Sequence, residues 1–307
     1  MDKIRFQIIA AMAVSAAVAF VIYPPPFFVF ELAHSIMPHI MIGLWMLAIA
    51  ALFRNKFLLA FATFFGGLGI FSNFSEAILP RPAAHSASAD IIIAHFNVLF
   101  VNENYSGVID QAKSADADFI SFQEVDQEWA GKLNLELSQS YPFNLDVPRK
   151  GSKGISVYSR YPLDRVRVED IQNSPSITGD ILTPKGKVFF VATHAKAPIT
   201  QSNFVERNLQ LKQVSKMVQK VDYAAVTVGD YNLIPWSKYY KAFVRDSGFT
   251  SSRSDYASTW PAGLGIFKIP IDHIFYNKKL TCVGFKTVKT SSDHFGIVGR
   301  YNFQFTK

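Results

Sequence analysis

The first 75 residues contain three long apolar stretches and few charged side chains. Runs of 25, 22 and 19 residues without Lys, Arg, Asp or Glu are bounded by Arg5, Glu31, Arg54, Lys56 and Glu76. Each run is long enough to cross a bilayer as a helix, which takes about 17–25 apolar residues. We therefore predict a membrane domain over residues 1–75, with three transmembrane helices at about 5–23, 36–53 and 57–74.

The first of these stretches has two interpretations. Pro24, Pro25 and Pro26 should end a helix at Tyr23, because proline lacks the backbone N–H that helices need. The alternative is a cleaved signal peptide, since Lys3 and Arg5 precede the apolar core. Either interpretation leaves the large domain that follows residue 75 on the same side of the membrane.

Basic residues around the stretches predict their orientation. Lys3 and Arg5 precede the first stretch, and Arg54 and Lys56 separate the second from the third. No basic residue separates the first from the second. Since cytoplasmic loops are rich in Lys and Arg, the N-terminus is predicted to be cytoplasmic. Everything after residue 75 is then extracytoplasmic, at the cell (inner) membrane.

Beyond residue 90 the pattern changes to short β-rich runs separated by turn residues. Residues 76–90 combine prolines with small and polar residues, as linkers do. Seven runs then predict strands, at 91–97, 119–124, 155–159, 187–194, 224–230, 271–276 and 296–303. Helical periodicity follows at 105–115, 127–139 and 202–220. Residues 91–307 are therefore predicted to form one α/β or α+β domain.

Composition and charge narrow the class of protein. The chain is 49% hydrophobic and 18% charged, which excludes a disordered or collagen-like chain. Of the net charge of +7, residues 91–307 carry +6, so a phosphate, an anionic lipid or a nucleic acid is a suitable partner. The single cysteine, Cys282, excludes an intrachain disulfide and a cysteine-based zinc site.

Polar residues of a particular kind stand at or just beyond the ends of the predicted strands. They are acids, amides and imidazoles, namely Asn97, Glu124, His194, Asp230, Asn232, Asp293 and His294. One such residue would be an ordinary turn former. Seven indicate a single converging site, because α/β sheets place ligands at strand ends.

Eight short motifs, in order, resemble the endonuclease/exonuclease/phosphatase superfamily. They are F-N-V-L (96–99), F-Q-E-V (122–125), K-G-I-S-V-Y-S-R-Y-P (153–162), T-H-A-K-A-P (193–198), G-D-Y-N (229–232), T-W-P (259–261), I-D-H-I-F (271–275) and S-D-H-F (292–295). The resemblance implies a four-layered sandwich with two mainly antiparallel sheets face to face and helices outside. It also implies phosphoester hydrolysis with a divalent ion, Mg²⁺ or alternatively Mn²⁺.

The resemblance assigns roles to individual residues. Glu124 resembles the residue that is the principal metal ligand in the family, and Asn97 beside it would contact the metal or the phosphate. Asp230 would orient or deprotonate water, Asn232 would hold a phosphate oxygen, and His194 would stabilise the transition state.

The remaining assignments concern the base and the supporting residues. Asp293, bonded to His294, would form a pair that shares the role of base with Asp230, and the choice between them stays open. Asp272 would support the site. Arg207, with Gln210 on the same helix, would make a polar tie to the G-D-Y-N loop.

One motif departs from the family. Many relatives place Asn or Tyr beside the glycine of G-x-x-x-x-S-R, whereas this chain has Lys153, Gly154, Ile155 and Ser156. The substrate contacts that nucleases or sugar phosphatases make at this motif therefore cannot be assigned directly to this chain. Lys153, with Arg149 and Lys150 on the same loop, would either receive an anionic headgroup or be solvated.

The three predicted spans direct the choice of substrate. An active domain held at the bilayer meets lipid-linked substrates at a raised effective concentration. The architecture resembles membrane-bound bacterial proteins related to teicoplanin-resistance proteins, which act on undecaprenyl diphosphate. We therefore expect undecaprenyl diphosphate phosphatase activity. The alternatives are a phospholipid or sphingolipid phosphodiesterase, a nuclease, for which nucleic acid is the less favoured partner, and an inactive binding module.

Overall fold

A computed structural model describes residues 3–78, 88–253 and 255–304. Within them lie eight α-helices: α1 (Lys3–Ile22), α2 (Phe28–Ser35), α3 (Met37–Phe53), α4 (Phe57–Ile78), α5 (Tyr105–Ser114), α6 (Gln127–Leu137), α7 (Gln201–Val218) and α8 (Lys238–Ser247). The strands there are β1 (Ile91–Asn97), β2 (Phe119–Gln123), β3 (Phe143–Val147), β4 (Ile155–Ser159), β5 (Leu163–Ile171), β6 (Ser174–Thr183), β7 (Gly186–Thr193), β8 (Ala224–Asp230), β9 (Thr250–Ser251), β10 (Asp272–Tyr276), β11 (Leu280–Val288) and β12 (Gly296–Phe303).

The strands form two mixed six-stranded sheets. The first has the order β11-β12-β1-β2-β4-β3, and the second has the order β5-β6-β7-β8-β10-β9. Only β1 with β2 and β7 with β8 pair in parallel, and the other pairs between named strands are antiparallel. The expected fold class, two mainly antiparallel sheets in an α/β (α+β) sandwich, is confirmed.

Three apolar clusters hold the four layers together. Between the sheets, buried side chains of both interdigitate, with Phe119 of the first sheet 4.7 Å from Phe190 of the second between ring centroids. Outside the first sheet, α5 and α6 bury a cluster that contains Trp129. Outside the second, α7 and α8 bury a cluster that contains Val214 and Phe243. Burial of apolar surface on both faces of each sheet supplies the main stabilisation.

The seven predicted strands are all found, and the structure adds five more. β6 contains Pro175 and Gly179, residues that argue against a strand in a sequence pattern. β5 lies at the edge of its sheet, and its outward side chains are mostly charged or exposed. These strands are fixed by pairing with their neighbours, which a local pattern does not reveal.

The N-terminal helices follow the predicted apolar stretches. In the described part of the chain, α1 and α4 are long and apolar enough to cross a membrane, and the pair α2 and α3, bent by 67°, would make a third span if counted as one. α1 ends at Ile22, before the three prolines as expected. α4 continues to Ile78, beyond the predicted end at 74, and most of the predicted 76–90 linker, residues 79–87, lies outside the described residues.

These helices also pack against the sandwich, which the linker prediction did not anticipate. A fourth cluster joins Met37, Ile70 and Phe74 of the apolar helices to Ile234 and Trp236 of the sandwich. All five side chains are at most 2% exposed. The active domain is therefore docked on the apolar helices as well as being connected to them through the chain.

Candidate active site

The carboxyl ends of the two parallel strand pairs meet at one end of the sandwich. β1 ends at Asn97 and β2 is followed by Glu124, while β7 is followed by His194 and β8 ends at Asp230. Because parallel strands point the same way, each pair delivers two polar side chains to one edge. β10 runs antiparallel to β8 and places Asp272 opposite Asp230.

Gln123 ties the two sheets together beneath these residues. Its amide nitrogen donates to the Thr193 carbonyl at 2.6 Å, and its amide oxygen accepts from the Asp230 backbone N–H at 2.8 Å. Gln123 is fully buried, so the bonds are not exchanged with water. The sequence analysis gave Gln123 no role, although an amide directly before Glu124 was a visible signal.

Gly229 allows this close approach of the sheets, and its replacement is a first prediction. Its φ is +150°, and a Cβ placed there would lie 2.0 Å from the Thr193 carbonyl oxygen and 2.3 Å from the Gln123 amide nitrogen. Gly229→Ala is therefore expected to lower the free energy of unfolding by more than the roughly 1–3 kcal/mol of backbone strain alone. Thermal unfolding in detergent measures this loss.

Gly131→Ala is the matched control. Gly131 lies inside α6, and no atom from outside its own stretch of helix lies within 4 Å of the point that an alanine Cβ would occupy. Alanine is favoured over glycine in a helix by about 1 kcal/mol, so this variant should melt at the same temperature or higher. A Gly229→Ala protein as stable as the control would show that the sheets can separate at this point.

Two carboxylates and one amide form the candidate metal site, with the Asn97 amide nitrogen facing the carboxylates and its oxygen accepting from the Leu99 N–H. The Asn97 amide nitrogen lies 3.1 Å from a Glu124 carboxylate oxygen and 3.4 Å from an Asp230 carboxylate oxygen. Glu124 has φ +65°, a conformation that is rare for residues other than glycine, and its second oxygen accepts from the Phe100 N–H. Carboxylate and amide oxygens suit a hard divalent cation.

A second group of potential ligands overlaps this site but is already hydrogen-bonded. Among the described residues, Asp230, Asp272 and His294 present ligand atoms within 4.8 Å of one another. Both oxygens of Asp272 are taken, one by His294 Nδ1 at 2.9 Å and the other by His95 Nε2 at 3.1 Å. We therefore interpret Asp272 as the partner of two histidines, and Asp230 as the member that faces a metal.

Two histidines flank the Asp230 carboxylate. The same oxygen of Asp230 lies 3.5 Å from His194 Nε2 and 3.8 Å from His294 Nε2. Burial acts to lower the pKa of His194, but its interaction with Asp230 and the charge of Glu124 raise it above its ordinary value. The other ring nitrogen of His194 bonds to the Ser152 carbonyl at 3.0 Å, which fixes the orientation of the ring.

His294 is held in its protonated form by Asp272. Burial acts to lower the pKa of His294, but the charge and hydrogen bond of Asp272, followed by the charges of Asp230 and Asp293, raise it to about 10. Burial likewise acts to raise the pKa of Asp272, yet its bonds to His294 and His95 hold it far below its usual range. Asp272 is therefore bonded directly to an imidazole of the candidate site.

The predicted bond between the neighbours Asp293 and His294 is wrong. Asp293 accepts a hydrogen bond from the Trp260 indole at 3.0 Å, whereas His294 Nδ1 points to Asp272. Adjacent side chains at a strand entrance point in different directions, so sequence neighbours need not be partners. Asp293 still lines the same cavity as His294.

The loop after β8 is held from behind by α7. Asn232 has φ +47°, and its side-chain nitrogen donates to the Ala195 carbonyl at 2.9 Å. Arg207 donates to the Asn232 carbonyl at 2.9 Å, which is the polar tie expected of it. Gln210 donates to the Thr193 hydroxyl at 2.9 Å and to the His194 carbonyl at 3.0 Å.

Glu31 of α2 is the partner of Arg207 that the sequence analysis did not find. The two form an ion pair at 2.8 Å, with Arg207 fully buried and Glu31 3% exposed. The same Glu31 oxygen accepts from the Ser237 hydroxyl at 2.9 Å. A lone acid in an apolar stretch was the available signal, since such residues are rarely buried unless paired.

A cavity of about 830 Å³ opens above these groups. Glu124, His194, Asp230, Asn232, Asp293 and His294 line its polar part. Ser152 and Lys153 contribute from the loop before β4, whereas Arg149 and Lys150 do not line it. The remaining wall is mostly apolar and includes Leu32 and Ile36 from the N-terminal helices.

Comparison with known proteins identifies a family. Residues 94–294 match the model of the endonuclease/exonuclease/phosphatase family, which is well over half of the chain. No curated protein matches the chain.

Solved structures share the fold at low sequence identity. An endonuclease/exonuclease/phosphatase family protein from Bacteroides thetaiotaomicron is 17% identical with a TM-score of 0.60, covering 70% of this chain and 98% of that one. The mannosyl-6-phosphatase Bt3783 of the same organism is 18% identical with a TM-score of 0.58, covering 69% and 100%. D. rerio TDP2 complexed with single-strand DNA product is 17% identical with a TM-score of 0.57, covering 69% and 98%.

Proposed function

Since the chain belongs to the endonuclease/exonuclease/phosphatase family and is accordingly a metal-dependent phosphoester hydrolase, we propose that it removes phosphate from undecaprenyl diphosphate at the outer face of a cell membrane. The observation that carries this proposal is the cavity, in which the candidate catalytic residues share one space with side chains of the apolar N-terminal helices. A substrate that fills it has a phosphoester at one end and a hydrocarbon at the other.

The donor set fits a magnesium ion. Glu124 and Asp230 supply carboxylates, and Asn97 lies between them. Mg²⁺ is held in proteins by one or two carboxylates together with substrate phosphate oxygens, so this small set suits it better than a closed cage would. When bound, the ion would polarise the phosphoryl group and neutralise its developing charge.

Asp230 and the side chains around it are assigned to the attacking water and to the phosphoryl oxygens. Asp230 orients the attacking water, and His294, which Asp272 keeps protonated, is a donor instead of a base. His194 and His294 direct their Nε2 atoms toward the oxygen of Asp230 that faces the cavity, where they donate to phosphoryl oxygens in the transition state. One amide hydrogen of Asn232 is bound to the Ala195 carbonyl, and the second donates to the phosphoryl group of the substrate.

The membrane location follows from charge and hydropathy. α1, α3 and α4 are proposed as three spans, since each is apolar over about the length of a bilayer, while α2 lies against the sandwich. Lys3 and Arg5 at the start of α1, and Arg54 and Lys56 between α3 and α4, favour a cytoplasmic position for the N-terminus and for that loop. The sandwich then lies on the extracytoplasmic side.

The proposal is tested by product release from the full-length protein in detergent. Undecaprenyl diphosphate, a phospholipid and sphingolipid panel, and plasmid DNA are each offered with Mg²⁺ and with EDTA. Orthophosphate from the diphosphate only, abolished by EDTA and by Asp230→Asn, is the expected result.

Each other outcome replaces the substrate with a defined alternative. Release of a phosphorylated headgroup would make the protein a phospholipid or sphingolipid phosphodiesterase. Nicked DNA, with binding that weakens steeply as salt rises, would make it a nuclease. No turnover by folded protein would make it a binding module.

A further inference from the structure

We propose that helix α2, with the residue that follows it, forms the binding subsite for the hydrocarbon tail of a long-chain polyisoprenyl diphosphate. This inference rests on the proposed function and adds to it the place where the tail lies. The subsite consists of Leu32 and Ile36 together with Ile199, Ile234 and Ile269, all of which line the cavity that contains Asp230.

The cavity lining combines uncharged aliphatic side chains with charged and polar ones. The lining residues from the N-terminal helices are Leu32, Ala33, Ser35 and Ile36, and none is charged. Lys153 and Lys196 also line the cavity, together with the residues around Asp230, and Lys196 is paired with Glu206. A diphosphate suits the lysines and histidines of this lining, whereas a hydrocarbon suits its aliphatic side chains because it loses no hydration there.

The spacing of Leu32 and Ile36 suits an elongated ligand. Leu32 lies in the last turn of α2, and Ile36 is the residue that follows the helix, four positions further along the chain. They are 39% and 46% exposed, and Ile199 opposite is 62% exposed. Exposed aliphatic side chains that flank a catalytic cavity indicate an apolar partner.

α2 is fixed in place, so the subsite is preformed. Glu31 is bound to Arg207 and Ser237, as described above. His34 Nε2 lies 3.2 Å from the Trp236 carbonyl, and the Trp236 indole donates to the His34 carbonyl at 2.8 Å. Side chains that need no ordering on binding give up less entropy, which favours affinity.

The position of α2 along the chain shows where the rest of the tail goes. α2 lies between α1 and α3 in the chain, so the subsite is connected directly to two apolar helices. Sites of roughly 300–1,000 Å³ hold a drug-sized molecule, so this cavity holds the diphosphate and only the first part of a long chain. The remainder of the tail stays in the bilayer beside α1 and α3.

The test compares chain lengths in polar variants of α2. Leu32→Gln and Ile36→Gln are assayed in full-length protein with a long-chain polyisoprenyl diphosphate and with an analogue of two isoprene units. Both substitutions are at exposed positions, and Val29→Gln is the matched control, because Val29 is 50% exposed on the same helix and does not line the cavity. The loss of a single apolar contact between a substrate and its pocket changes kcat/KM by about 10–200-fold.

The expected result is a fall of about 10-fold or more in kcat/KM for the long chain in Leu32→Gln and Ile36→Gln, with the short analogue and Val29→Gln unchanged. Long-chain turnover that is unaffected in both variants overturns the subsite. Equal falls for both chain lengths also overturn it, because α2 would then act on catalysis and not on the tail. A wild-type protein that hydrolyses neither diphosphate but cleaves phospholipid overturns the proposed function itself, and the tail assignment with it.

Discussion

Replacing His294 with alanine is expected to lower kcat about 10²–10⁴-fold, the typical contribution of a positioned proton-transfer or donor group. His294 is bound to Asp272 at 2.9 Å and faces Asp230 at 3.8 Å. Its removal leaves the buried Asp272 carboxylate without its main partner and the Asp230 carboxylate without a donor. Orthophosphate release at saturating substrate measures the effect.

His39→Ala is the control for this variant. His39 does not line the cavity, and its ring stacks on Phe267 at 5.2 Å. Its kcat should match that of the wild type. If His294→Ala retained more than about a tenth of wild-type kcat, His294 would be only a structural residue.

The raised pKa of His294 also predicts the direction of a pH effect. Its pKa is about 10 in the folded chain and about 6.5 when unfolded, so the folded state binds the proton more tightly. The resulting stability is fully present below pH 6.5 and is lost as pH rises toward 10. Melting temperature should therefore fall less between about pH 7 and pH 10 in His294→Ala than in the wild type.

Replacing Glu31 with alanine is the second large effect, here on stability. The pair of Glu31 and Arg207 is buried, and removal of one partner from such a pair costs about 3–5 kcal/mol because the other charge is left uncompensated. Thermal unfolding in detergent should show this loss. Glu136→Ala, which removes the exposed partner of Lys113, should leave the melting temperature almost unchanged.

A double variant separates stability from positioning. Replacing a buried ion pair with apolar residues is often neutral or stabilising, so Glu31→Leu with Arg207→Met should recover most of the melting temperature. Activity should not recover, because the Asn232 carbonyl still lacks its donor. Full recovery of both would show that Arg207 contributes packing only.

The candidate site illustrates the limits of local patterns. Strand-end positions identified Asn97, Glu124, His194 and Asp230, because strand direction alone determines which residues reach the edge of a sheet. The partner of His294 was misassigned, since Asp272 is 22 residues away and begins a strand of the second sheet, whereas His294 precedes β12 of the first, so only the packing of the two sheets brings them together. His95, buried behind Asp272, was missed for the same reason.

What the sequence by itself determined is the chemistry and its order along the chain: three apolar stretches, a sandwich of short strands, and a set of acids, amides and histidines that suits phosphoester hydrolysis. These features are set by local composition and periodicity, which fix the type of each element. Only the tertiary structure decided which side chains touch. The pairing of Glu31 with Arg207, 176 residues apart, and the shared cavity exist because apolar burial docks α3 and α4 on the loop after β8 and so brings α2 beside that loop. Such contacts depend on the relative placement of distant elements, which no local pattern encodes.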